Sequence, residues 1–289
     1  MDLLFTSAGA VLVVLGLLEV FRTLLHPEGR GRLSRRVASG VWRVVVSFGR
    51  PARAVAGPIA IVAVFVFWSL LQVVGWALIY LPHVPEGFSY DPGLDPAAYP
   101  PFLEAVYFSS VALATLGLGD VIAADPWIRY FAPAQAIIGF ALITAIVSWL
   151  MQLYPALLQR RSLALQLTVL KRSDLAGDLR RMHPATASSN LDSITSALTS
   201  VTIDLVQTTE SFFFSERSPA MSLPARVSYV RTLTAEAKRS RHRAVRSSGA
   251  ALDQAVAAFA EELSDTLGFA STRTDDILAE YSRRHGGGM

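Results

Sequence analysis

The chain has 289 residues, of which 52% are hydrophobic and 17% charged, with a formal net charge of +3 and a mean hydropathy of +0.40. A water-soluble chain carries about a quarter charged residues, and the apolar excess here lies before residue 155, so a membrane half and a polar half are expected. There is no cysteine, which excludes disulfides, thiolate catalysis and cysteine-ligated zinc. Only Lys171 and Lys238 among the 26 basic residues are lysine, a bias read as that of a GC-rich bacterial genome.

Three segments reach the roughly 20 apolar residues of a spanning helix: 3–25, 60–81 and 130–154. The first opens on Asp2 instead of a basic segment and shows no small-residue cleavage site, so it reads as an uncleaved helix. Inside it, Glu19 and Arg22 stand near one end, where they are expected to pair with each other and snorkel. Between the first two spans, residues 32–49 alternate Leu33, Val37, Val41, Val44, Val45 and Phe48 with Arg32, Arg35, Arg36 and Arg43 at helical spacing. This predicts a helix lying in the membrane interface, with a solvated linker as the alternative.

The arginines also set an orientation. Residues 26–57 carry seven of them, residues 54–128 carry no Lys or Arg, and basic residues return at Arg160, Arg161, Lys171 and Arg172. By the positive-inside rule 26–57 and 155–289 are cytoplasmic, while 82–129 and the N-terminus face out. The outer loop begins with a Pro/Gly-rich stretch, 82–101, expected to resist regular structure. An apolar helix follows at 102–114, too short to span, and then comes Thr115-Leu116-Gly117-Leu118-Gly119-Asp120. Glycine at every second position suits neither helix nor strand interior. Positive φ at Gly117 and Gly119 allows a ribbon whose carbonyls point one way. Such backbone survives at membrane depth only if it is buried in protein or lines water.

Ala105-Val106-Tyr107-Phe108-Ser109 followed by Thr115–Asp120 resembles the pore loop of potassium channels, whose filter motif is TVGYG. Leu116 and Leu118 replace Val and Tyr, the second as in two-pore-domain potassium channels, and Ala112 and Ala114 stand where pore helices often carry Thr. The resemblance covers roughly 58–155. It implies that Thr115, Leu116, Gly117 and Leu118 bind K+, with Gly119 completing the filter and Asp120 at the outer mouth. It also implies that Gly139 is the hinge of the inner helix and that Ile143, Val147 and Met151 line a cavity. Pro155 is expected to end or kink that helix. Since one chain supplies one filter segment, a homotetramer follows from the resemblance.

The polar half reads as helical, with helices over 157–182 (Leu163, Leu167, Leu170 and Leu175 apolar) and 190–214 (Leu191, Ile194, Leu198, Val201 and Leu205 on one face), and one or two more within 224–281. Lys238, Arg239, Arg241, His242, Arg243 and Arg246 read as a solvated helix face turned to Glu261, Glu262 and Asp265; binding of anionic lipid or nucleic acid is the alternative. Residues 286–288, all glycine, read as a disordered tail. His26, His83, His183, His242 and His285 lack metal-ligand spacing, and no nucleophile–base pair, phosphate loop or dinucleotide fingerprint occurs. The expectation is therefore an all-α membrane protein of the bacterial inner membrane, not an enzyme. It comprises an N-terminal helix with a basic interfacial helix (1–57), a pore domain with a re-entrant helix (58–155) and a cytoplasmic helical domain (156–289). Its function is passive K+ conduction, with no cofactor beyond the permeant ion, no organic substrate and no nucleic acid, and with lipid and its own copies as partners. A weakly selective cation channel and a non-conducting membrane anchor or sensor are the alternatives.

Overall fold

The computed structural model describes residues 1–24, 31–269, 271 and 273–285. Leu25, His26, Glu28, Arg30 and the glycines at 286–288 lie outside the described residues. The fold is mostly helical and separates into two compact units, the first holding 1–24, 31–38 and Ile61–Leu150, the second Ser39–Ala60 and 151–285.

The first unit contains α1 (Asp2–Leu24), the start of α2 (Arg32–Ser47) and most of α3 (Arg50–Tyr80). It continues with β1 (Phe88–Tyr90), α4 (Pro101–Leu113), β2 (Val121–Ala123) and the first part of α5 (Pro126–Arg172). α1, α3 and α5 are each long and apolar enough to cross a membrane. α1 meets α3 at small residues: a Cβ on Gly75 would stand 2.8 Å from Val13 Cγ2 and 3.1 Å from the Gly9 carbonyl oxygen. This close approach is how helices associate when lipid offers no hydrophobic driving force. α3 starts well before residue 60, because Pro51 is pre-organised for a first helical turn, and it runs through Pro58.

Two readings of this unit are corrected. Glu19 does not turn to Arg22. It is 5% exposed, and its Oε1 accepts the backbone N–H of Ser34 at 2.8 Å in the first turn of α2. A carboxylate there satisfies an orphan donor and meets the positive helix end. The stretch over 82–101, too, is more ordered than its Pro/Gly content suggests. It forms short 3-10 turns at Leu81–His83 and Pro96–Ala98, and β1 pairs antiparallel with β2, Ser89 opposite Ile122.

The second unit holds α6 (Leu175–Asp178), α7 (Pro184–Gln207), α8 (Leu223–Arg226), α9 (Ser228–Lys238), α10 (Arg243–Leu267) and α11 (Thr274–Arg284). α5 does not end at Pro155 but continues to Arg172. α7 begins at Pro184, again a proline in the first turn, and presents Leu191, Ile194, Leu198, Val201 and Leu205, all buried as their spacing predicts, against α10. It stops at Gln207, and a 3-10 turn over Thr209–Phe213 takes the residues expected to prolong it. Four helices, α8 to α11, fill the region where one or two were expected. Two members of the basic cluster meet acids outside the anticipated set: Lys238 Nζ lies 2.7 Å from Asp253 Oδ2, and Arg239 pairs with Glu236 at 2.8 Å.

The 209–214 turn anchors this unit. Arg160 donates to the Ser211 and Phe214 carbonyls, and Trp42 of α2 packs on Phe212 and Phe213. His285 lies edge-on to Phe212 with ring centroids 4.5 Å apart, and its Nε2 is 2.8 Å from the Phe212 carbonyl oxygen. Burial lowers this imidazole from 6.5 to about 4. The folded unit thus holds it neutral where the unfolded chain takes up a proton, so stability is complete above pH 6.5 and is lost as pH falls toward 4. His285→Phe is expected to remove that share of acid sensitivity. Thermal melts of parent and variant at neutral pH and midway through the window test it, and an equal loss in both would refute it.

Candidate functional site

The site is built where α4 ends. Its last turn is closed by the Ala114 amide on the Ser110 carbonyl (2.9 Å) and the Leu116 amide on the Val111 carbonyl (3.0 Å). The backbone then alternates in hand. Thr115 has φ +57°, Gly117 +58° and Gly119 +85°, whereas Leu116 and Leu118 between them are not left-handed. Successive residues of opposite hand turn consecutive peptide planes so that the carbonyls line one side and the amides the other. Glycine adopts that conformation freely; Thr115, β-branched, does so at a cost of about 1–2 kcal/mol. Such strain persists only where the surroundings impose it. Residues 114–119 are exposed in the single chain, Leu116 to 63% and Leu118 to 60%.

Three contacts fix the ribbon from behind. Asp120 Oδ1 accepts the Val121 amide at 3.0 Å, Oδ2 accepts the Tyr107 hydroxyl of α4, and the Asp120 carbonyl accepts the Asp91 amide at 2.9 Å. The Tyr107 hydrogen bond holds the Asp120 carboxyl below its ordinary range. Burial, then the Asp120 charge, raises Glu104. Leu118 offers no hydroxyl to anchor the ribbon; Tyr107 supplies one from the preceding helix.

α4 itself is held by a buried polar chain. The Tyr80 hydroxyl donates to Gln135 Oε1 (2.9 Å), and the Gln135 amide donates to the Ser109 carbonyl (2.9 Å) and Oγ (2.8 Å). The Ser109 hydroxyl donates to the Val73 carbonyl (2.8 Å). Gln135 and Ser109 are fully buried, and Tyr80 and Phe88 pack edge-on to Phe108 around them. Sequence reasoning missed Tyr107, Tyr80, Ser109 and Gln135 as parts of the site. The available signal was Gln135, one of two amides in the third apolar span together with Gln152, where polar residues are rarely idle.

Gly139 lies within continuous α5, and a Cβ there would strike the Leu113 carbonyl, with Leu113 C at 2.8 Å. Its first evident use is therefore close approach between α5 and the end of α4. Ile143, Val147 and Met151 fall on one exposed row of α5, and Asp120, expected at an outer mouth, has both carboxylate oxygens engaged.

An alternately handed ribbon stands at the end of a short apolar helix, between two helices long and apolar enough to cross a membrane. Residues 59–154 match the family described as "Ion channel", in agreement with the resemblance drawn from Thr115–Asp120. The chain is also 27% identical over 164 residues to the "Uncharacterized membrane protein YdjJ" of Bacillus subtilis (strain 168), a match covering 55% of this chain and 47% of that protein. It thus spans about half the length of this relative. No solved structure matches the chain.

Proposed function

We propose that the chain is one subunit of a tetrameric, passive potassium channel of the bacterial inner membrane. The observation that carries this is the alternation of backbone hand from Thr115 to Gly119 at the end of α4. In this reading α4 is a re-entrant helix entering from the outer side, and its negative C-terminal end favours a cation. The Thr115 hydroxyl and the carbonyls of Thr115, Leu116, Gly117 and Leu118 replace the ion's water shell. Gly119 turns the ribbon toward Asp120, whose ionised carboxylate attracts cations at the mouth. Four copies surround the ion, consistent with the exposure of 114–119 in one chain. Ile143, Val147 and Met151 line the cavity below, Gly139 lets the inner helix pass close to the end of α4, and the arginine distribution sets the N-terminus outside and the helical domain in the cytoplasm. The division into 1–57, 58–155 and 156–289 follows these roles. The partners are lipid and further copies of the chain, and the only ligand is the permeant ion.

Purified protein in liposomes is expected to pass K+ faster than Na+ down matched gradients, and Gly117→Ala, strained at φ +58°, to lose that flux. A folded tetramer without flux would rule the channel out. The absence of a hydroxyl at Leu118 favours a second reading, a weakly selective cation channel, which equal K+ and Na+ fluxes would establish. Tyr107→Phe separates the two further. With the hydrogen bond gone, Asp120 should titrate at higher pH, so acid block of flux moves upward in pH and the K+/Na+ flux ratio falls. An unchanged ratio and pH profile would show that Tyr107 does not hold the ribbon.

A further inference from the structure

One face of α3 carries Trp68, Gln72, Trp76 and Tyr80 at four-residue spacing, each at most 6% exposed. Residues four apart lie one above another on a helix, so these side chains form a single buried ridge. Tyr80, at its end, holds Gln135 and through it Ser109 of α4. Trp76 stacks on Tyr80 with ring centroids 5.8 Å apart. Gln72 turns instead to α1, where its Nε2 donates to the Val13 carbonyl at 3.1 Å. Gly16 of α1 makes room for that amide: a Cβ there would stand 2.6 Å from Gln72 Nε2.

The middle of this ridge is not satisfied. Gln72 Oε1 and Trp76 Nε1 are both buried, and neither has a hydrogen-bond partner. The amide oxygen is an acceptor, and the indole N–H can only donate. An unpaired polar group in an apolar span is costly, because no water is there to take its place. Here two complementary ones stand one turn apart on the same helix face, where side chains are neighbours. A bond between them would satisfy both, at the expense of the Trp76–Tyr80 stack.

We propose that Gln72 and Trp76 are positioning residues with two arrangements, through which α1 sets the hold of α3 on α4. This rests on the channel proposed above, in which α4 carries the ribbon. In the arrangement described, the Val13 carbonyl keeps the Gln72 amide on α1, and Trp76 supports Tyr80. In the second, Gln72 Oε1 accepts the Trp76 N–H, the indole leaves Tyr80, and the anchor of α4 at Gln135 slackens. Each arrangement makes a contact that the other lacks, which keeps them close in free energy. A small displacement where Gly16 meets Gln72 is then enough to shift the population from one to the other.

Gly16→Ala tests this from α1, without touching α3 or the ribbon. The added Cβ meets the end of a flexible side chain, so the helices stay packed while the Gln72 amide is displaced. Full-length protein in nanodiscs, with its five tryptophans replaced by fluorotryptophan, is expected to show two fluorine NMR signals for Trp76, identified by their loss in Trp76→Phe. Gly16→Ala should move weight to the second signal and, in liposomes, lower both K+ flux and the K+/Na+ flux ratio. Trp76→Phe keeps a ring on Tyr80 but has no N–H to give. Its flux should therefore match the parent's, and Gly16→Ala in that background should cost nothing further. A loss that persists there marks packing alone and overturns the proposal. A flux-competent parent with one Trp76 signal, unmoved by Gly16→Ala, also overturns it and leaves the pore intact. A parent that carries no flux fails on the pore itself, and the positioning role falls with it.

Discussion

Gly139→Ala is expected to lower the thermal stability of the protein and to abolish ion flux in liposomes. The added Cβ would enter the Leu113 carbonyl, with Leu113 Cα also at 3.3 Å. These are backbone atoms of the last turn of α4, which cannot step aside as a flexible side chain does. Overpacking of this kind costs about 1–3 kcal/mol where side chains can adjust, and here relief requires α4 and α5 to separate. Thr115, already left-handed, lies two residues beyond Leu113, so any displacement passes directly into the ribbon. The hinge role implied by the resemblance predicts something different: opening would change while the melting temperature stayed put. Thermal melts of detergent-solubilised parent and variant decide between them, and an unaltered melt would sink the close-approach account.

Gln135→Leu is expected to loosen α4 from α3 and α5 and to reduce flux with little change in side-chain size. The substitution orphans the Tyr80 hydroxyl and two acceptors on Ser109. A buried polar group left unsatisfied costs about 1–3 kcal/mol. Interhelical hydrogen bonds in membranes average nearer 0.6 kcal/mol, because the unfolded reference state also finds partners. Here one side chain serves three partners within a closed aromatic shell, so the larger figure governs the position of α4. Adding Tyr80→Phe should recover part of the loss, since the orphaned donor is then removed as well. If the double variant is as impaired as the sum of the two singles, the chain of hydrogen bonds does not act as a unit.

Much of the architecture was legible because membranes impose long apolar runs. The ribbon was legible at Gly117 and Gly119 because few other residues tolerate that backbone, and the buried face of α7 because its apolar residues repeat at helical spacing. What escaped depended on partners far away in sequence. β1 and β2 are three residues each and meet across the whole of α4. Glu19 appeared to have a partner in Arg22 on its own helix, yet the nearer unsatisfied group is the Ser34 amide. Pro155 lacks an N–H and was expected to end or kink the helix, but a missing donor on an exposed side of a helix packed firmly on its other side does not end it. Tyr107 and Asp120 are unremarked residues of the 82–129 loop until the end of α4 and the ribbon after it bring them together.

The Glu19 contact gives the first helix a structural purpose of its own. Besides Glu19 on the Ser34 amide, Thr23 donates to the Ser34 hydroxyl at 3.1 Å, and Trp68 Nε1 of α3 approaches the same oxygen at 3.0 Å. One serine thereby pins three helices at a single point. An amphipathic helix held only by its apolar stripe can roll about its own axis, whereas one clamped at its first turn cannot. α1 thus serves as a bracket, fixing the rotation of the first turn of α2 about its own axis.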